Sequence, residues 1–411
     1  MKTIVIIGIG NVALKYLDQA LHRQGYTPIV LGRRAALCKA MAPYVSGLQW
    51  YDVDPEDERA VYDEIRLHPA RYEAVSAITT LYDERFPQVV RLGQCFGWQT
   101  PPPCLAQLSA KRQVQAWVPE YSPPTLSFQA GEIDTLDLSA LAQWGKQVVA
   151  KPALASGGLG AAHLPTRHLH THLRTHLAAL QGAAGNEWLL QQALTGRLLS
   201  FEGYVADGEV HGLGISSRSR LGLTEVANRY PVGEHVPEAV RDLGWGCIRA
   251  LAQRSGLRFG YFHCEFIQAN GRPWLIDANA GRIGGATMLE QIACAHGVNT
   301  ADLLAHVLLL PLLGSAAPCP LDAAPARAPA PTLGIWYGSP VVARLEQLDV
   351  PAPQCCHTQF AVEGHTVPAI GTSDHAWVGQ LSGDADTVLQ TIKGITLLTD
   401  QGRLKPAYNL S

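Results

Sequence analysis

Apolar strand and amphipathic helix alternate from the start of this chain, and that alternation limits the folds open to it. Thr3 to Gly8 is a near-continuous apolar run, as expected of a strand covered on both faces. Asn11 to Arg23 follows, with Val12, Leu14, Leu17 and Leu21 on helical spacing. Ile29 to Leu31 starts a second strand after a turn at Gly25. Glu56 to Ile65 reads as a helix and Ala74 to Ile78 as another buried strand. Parallel strands need long crossovers, commonly helical. The pattern therefore predicts an α/β unit with helices on both faces of a parallel sheet. Pro101 to Pro103 ends it.

Beyond that break the spacing predicts a helix over Ala110 to Trp117, a turn at Pro123-Pro124 and a strand over Gln147 to Lys151. A glycine loop, a helix from Arg167 to Leu180 and a strand from Trp188 to Gln192 follow. Leu303 to Leu313 is too short for a bilayer span of ~20 residues and reads as a buried helix ending near Pro311. Ser315 to Pro331, rich in Ala and Pro and without periodicity, reads as a linker. At roughly 100–200 residues per domain, 411 residues imply two to four domains.

Charged residues make up only 16% of the chain, against the usual ~25%, and apolar residues 47%, which excludes a disordered chain. A net charge of −3 leaves no basic surplus for nucleic acid or an anionic membrane. Nine cysteines with no C-x-x-C pair argue against zinc ribbons and disulfide scaffolds, and suit a reducing cytoplasm. The apolar run Ile4 to Ile9 ends in a glycine turn without a cleavage site, so it reads as a strand rather than a targeting segment.

Three constellations carry chemistry. Gly8-Ile9-Gly10-Asn11-Val12-Ala13 sits between a strand and a helix, as in dinucleotide-binding turns. Leu31 is followed by Gly32, Arg33 and Arg34 instead of an acid, which leaves open a 2′-phosphate ligand and an NADP-dependent oxidoreductase. Next, the strand ending at Lys151 leads into Ser156-Gly157-Gly158-Leu159-Gly160. Backbone N–H groups of such a loop close over phosphate oxygens, and the lysine supplies a point charge. Third, His263 to Ile267 and Trp274 to Asn279 read as a hairpin turning at Asn270-Gly271. That places Glu265 near Asp277, with Asn279 on the face of Asp277. Two carboxylates and an amide oxygen suit Mg2+. His168, His172 and His176 share a helix face but have no acidic neighbour, and Cys355-Cys356-His357 lacks zinc spacing, so both read as structural.

These pieces, in this order, resemble the ATP-grasp superfamily from about Lys111 to Gly285. The resemblance implies an α/β protein: a Rossmann-like pre-ATP-grasp domain (1–103), an ATP-grasp small lobe with the glycine loop (104–187), and a large lobe with the metal hairpin (188–314). The linker (315–331) and a small C-terminal α+β region (332–411) complete it. Leu199 to Gly203 and Ala206 to Glu209 look like the bacilysin-type L-amino-acid ligases, which makes Glu202 a third metal candidate. Arg218 to Pro237 resembles the substrate-facing loop of those ligases. By the same resemblance ATP is held by Lys111, Lys151, Ser156, Gly157, Gly158, Gly160 and the hinge residues Gln191, Gln192 and Leu194. Mg2+ is held by Glu202, Glu265, Asp277 and Asn279, and Arg282 with Lys151 acts on the reacting phosphate. Gln191 where Glu is usual, Leu198 where an acid is usual, Asp277 in place of Glu, and the later Arg282 depart from the pattern. The implied function is a carboxylate–amine ligase acting on small molecules through an acyl phosphate, with room for a homodimer; a non-catalytic nucleotide-binding module is the other alternative.

Overall fold

The computed structural model describes residues 2–154, 160–180, 186–222, 224–324, 328–372 and 376–410. The N-terminal alternation folds into a parallel four-stranded sheet. Its order is Gln49–Asp52, Tyr26–Gly32, Lys2–Ile7, Val75–Thr79. Helices Glu58–Leu67 and Phe86–Phe96 cover one face through Val61, Ile65, Val89 and Leu92. Helix Asn11–His22 covers the other, and its Leu14, Leu17 and Leu21 share a core with Leu303, Leu304 and Leu308. The strand Gln49–Asp52 was not anticipated, because only Trp50 of its four residues is buried.

A second sheet, antiparallel, has the order Thr125–Gln129, Glu187–Gln192, Gln147–Pro152, Ala162–Pro165 and is backed by helix Leu169–Ala179. The strand that ends in Gln191 and Gln192 thus lies inside this smaller sheet.

The largest sheet is antiparallel and eight-stranded. It runs Arg272–Ala280, Gly260–Ala269, Arg197–Ala206, Glu209–Leu221, Thr224–Tyr230, Thr332–Tyr337, Gly379–Asp384, Cys356–Gln359. The last three strands come from beyond residue 331, so the C-terminal region continues this sheet rather than standing apart. Helix Glu238–Ser255 packs on one face through Cys247, Ile248 and Leu251. Helices Gly285–His296 and Thr300–Leu313 belong to the core that reaches the N-terminal unit. The expected buried helix runs through Pro311 to Leu313, since a proline in the last turn leaves few helical bonds to break. The Ala/Pro stretch is not a bare tether: Ala317 is buried, and the Ala330 N–H donates to Ala295 O at 2.9 Å. No single helix among the described residues is long and apolar enough to cross a membrane.

Candidate active site

Strand pairing builds the acidic centre. Asn270 and Gly271 take positive φ angles of 53° and 73° and close the hairpin between Gly260–Ala269 and Arg272–Ala280. Its register sets Glu265 opposite Asp277 and His263 opposite Asn279, and the neighbouring strand sets Glu202 opposite His263. Cross-strand partners point to one face, so these polar residues share it. The alternate residues Phe262, Cys264 and Phe266 join the core under helix Glu238–Ser255.

Cations arrive from elsewhere. Lys111, at the start of helix Lys111–Trp117, brings Nζ within 3.2 Å of Asp277 Oδ1. Lys151 donates from Nζ to Ile276 O at 2.7 Å. Arg282 donates to Asn279 Oδ1 and to Asp83 Oδ1, both at 2.8 Å. Arg218 donates to Glu265 Oε1 at 2.9 Å and lies 3.1 Å from Glu225 Oε2.

The bonding leaves each of the two carboxylates half committed, while the single oxygen of Asn279 accepts from Arg282 at 2.8 Å. Asp277 Oδ1 takes Lys111 and the Ala278 N–H, at 3.2 Å and 3.1 Å. Glu265 Oε1 takes Arg218 and lies 3.1 Å from His263 Nε2. The second oxygen of each carboxylate has no hydrogen-bond donor among the described residues. Among the described residues no three His, Cys, Asp or Glu side chains converge as a metal site. The set is two carboxylates and the Asn279 amide, which fits Mg2+, an ion that takes its remaining ligands from phosphate and water.

Glu202 does not belong to that set. It is wholly buried, with Oε1 2.5 Å from His263 Nδ1 and Oε2 3.5 Å from the Gly284 N–H. Both oxygens are taken, so its placement among the metal ligands is corrected to a partner of His263.

The charges reinforce one another. Burial opposes ionisation of Glu265, but Arg218 and His263 outweigh it and hold the carboxyl well below its usual range. Burial likewise opposes the charge on Lys111, yet Asp277 and Asp83 raise its pKa. For Lys151 burial wins over the attraction of Asp277 and brings the pKa down to about 8. Burial also works against a charged His263, and Glu202 outweighs it.

Ser156, Gly157 and Gly158 lie outside the described residues; Gly160 has φ +71° and its carbonyl lies 2.8 Å from His176 Nε2. Gln191 donates to Thr125 Oγ1 at 3.0 Å and Gln192 to Trp144 O at 3.2 Å, so both side chains are tied into the smaller sheet. Leu194 is half-buried where the chain crosses to the large sheet. The expected substrate-facing loop, Arg218 to Pro237, is largely two paired strands, Glu209–Leu221 and Thr224–Tyr230.

Sequence reasoning missed Asp83 and His263, and took Arg218 as the start of a substrate-facing loop rather than as a partner of Glu265. Asp83 follows Val75–Thr79, at the carboxyl end of a parallel sheet, where α/β folds place ligands. His263 is two residues before Glu265 on the same strand, and alternation alone puts it on the acidic face.

The glycine turn of the N-terminal sheet is differently used. Gly8 has φ +65°, and a side chain there would begin 3.1 Å from the Tyr82 ring. Asn11 donates to Gln359 O at 3.2 Å, Arg33 is paired with Asp54, and Arg34 donates to Trp50 O at 3.3 Å. The arginines expected to meet a 2′-phosphate are exposed, and each is engaged by a neighbour on the same sheet edge, Arg33 by Asp54 and Arg34 by Trp50 O.

No protein-family model matches the chain, and no curated protein matches it in sequence. Solved structures match in fold. The L-amino acid ligase of Bacillus licheniformis aligns over 97% of this chain and 98% of its own, with a TM-score of 0.73 and 16% identity. The biotin carboxylase domain of Hydrogenobacter thermophilus 2-oxoglutarate carboxylase, solved with MgADP, ADP and bicarbonate, aligns over 97% and 91%, at 0.74 and 15%. The N5-carboxyaminoimidazole synthetase of Staphylococcus aureus, solved with ADP, aligns over 95% of each chain, at 0.66 and 14%. This protein therefore has the two-lobed ATP-grasp fold, preceded by a Rossmann-like domain and followed by a small C-terminal α+β region.

Proposed function

We propose that the protein is an ATP-dependent carboxylate–amine ligase that joins an amino acid to a second small molecule, with ATP and Mg2+ as cofactors. The observation that carries this reading is the meeting of Lys111, Lys151 and Arg282 with Glu265 and Asp277, in a fold shared with ligases and carboxylases. Glu265, Asp277 and Asn279 would hold Mg2+, which supplies charge neutralisation on the phosphates when bound. Lys111 and Lys151 would bind phosphate oxygens, and the chain at Gln191, Gln192 and Leu194 would border adenine.

In the reaction a substrate carboxylate attacks the γ-phosphorus of ATP and ADP leaves. The resulting acyl phosphate is attacked by an amine, which loses a proton as phosphate departs. Arg282, held by Asp83, would stabilise the charged oxygens. The glycine loop, with Ser156, Gly157, Gly158 and Gly160, would exclude water from the acyl phosphate. No protein nucleophile is required.

A phosphate-release assay over pairs of amino acids and other carboxylates, with ATP and Mg2+, tests the proposal. At least one pair should release phosphate, and Glu265→Gln should abolish that release. Normal turnover by this variant would overturn the assignment.

A further inference from the structure

We propose that Arg218 and His263 are positioning residues that fix Glu265 by its Oε1 and leave Oε2 for the metal, with Glu225 and Glu202 anchoring them in turn. This inference deepens the ligase reading and rests on it. The chain of contacts is continuous. Glu225 Oε2 lies 3.1 Å from Arg218 Nη1, which donates to Glu265 Oε1 at 2.9 Å. Arg218 Nη2 lies 2.7 Å from His263 Nε2, itself 3.1 Å from the same Glu265 oxygen. Glu202 Oε1 holds the far side of the ring at Nδ1, 2.5 Å away.

Burial separates support from site. The Arg218 side chain is 6% exposed, whereas Glu265 is 18% exposed. An arginine that grips substrate presents its fork to the ligand; here Nη1 of Arg218 is spent on Glu265 and Glu225 and Nη2 is packed against the His263 ring, whose Nε2–H donates to Glu265. Two groups converge on one oxygen, so Glu265 cannot turn its carboxylate without breaking both contacts. Mg2+ demands near-ideal octahedral geometry, and a carboxylate held by one oxygen meets it with the other already fixed. Glycine at 284 is part of the same arrangement, since a side chain there would stand 1.8 Å from His263 Nδ1.

The test measures Mn2+ binding to the ADP-loaded full chain by electron paramagnetic resonance, and metal-free ADP binding by calorimetry. The variants are Arg218→Met, Arg218→Lys, His263→Asn and Glu265→Gln, each checked for folding by thermal melting. Arg218→Met and His263→Asn should weaken Mn2+ about 10–100-fold, the usual cost of losing a partner that orients a ligand, with metal-free ADP affinity unchanged. Arg218→Lys should restore part of the Mn2+ affinity. Wild-type Mn2+ affinity in both Arg218→Met and His263→Asn, with binding lost in Glu265→Gln, overturns this inference and leaves the ligase reading standing. Equal losses of Mn2+ and metal-free ADP binding also overturn it, because a merely structural role acts on both. Wild-type Mn2+ affinity in Glu265→Gln overturns the assignment of Glu265 itself.

Discussion

Lys151 carries the sharpest consequence of a single environment. Burial lowers its pKa to about 8, so its charge fades as pH rises through that value. In the proposed ligase the charged form would bind phosphate and the neutral form would not. The apparent KM for ATP is therefore expected to rise about tenfold per pH unit above the pKa, and steady-state kinetics from about pH 7 to about pH 9 measure it. Lys151→Arg, which keeps its charge throughout, should flatten that rise. Lys111 is held the other way: Asp277 and Asp83 more than offset its burial and raise its pKa, so it stays charged over the same range.

Among the elements, the hairpin Gly260–Ala269 with Arg272–Ala280 and the helix Gly285–His296 depend on each other at one point. Gly284 precedes the helix, and the His263 ring occupies the space its side chain would need. Gly284→Ala is expected to cost about 1–3 kcal/mol through overpacking, read as a lower melting temperature. It should also reduce ligase activity, because His263 must shift away from Glu202 or Glu265. A Gly256→Ala control, at the end of helix Glu238–Ser255 with open space around it, should lose stability through its φ of +71° without the same loss of activity.

Across the whole molecule, one buried ion pair ties the N-terminal unit to the C-terminal strands. Lys15 Nζ lies 2.6 Å from Glu290 Oε1 and donates to His357 O at 3.0 Å. Tyr16 donates to the same carboxylate at 2.7 Å, and Ser382 donates to its other oxygen. Lys15→Met leaves a buried carboxylate without its cation and is expected to destabilise the protein by about 3–5 kcal/mol. Denaturant unfolding measures this, and Lys15→Met with Glu290→Met together should cost less than the two single changes summed.

Much of this architecture could be read from periodicity. The runs over Thr3 to Gly8, Gln147 to Lys151 and His263 to Ile267 are strands because alternation and β-rich composition act over a few residues. The cross-strand meeting of Glu265 and Asp277 was legible too, since an Asn-Gly turn sets the hairpin. Other features lay beyond local pattern. Arg282 and Asp83 are 199 residues apart, and Arg218 and Glu265 are 47 apart. Glu202 and Glu265 look alike as acids in apolar strands, yet one is sealed against His263 and the other opens to the site. By itself the sequence determined which segments become strands and helices and which residue types carry charge, because those depend on near neighbours. Only the tertiary structure decided which cation meets which carboxylate, and which oxygen of each is left over, because sheet order and packing bring together groups that chain spacing does not relate.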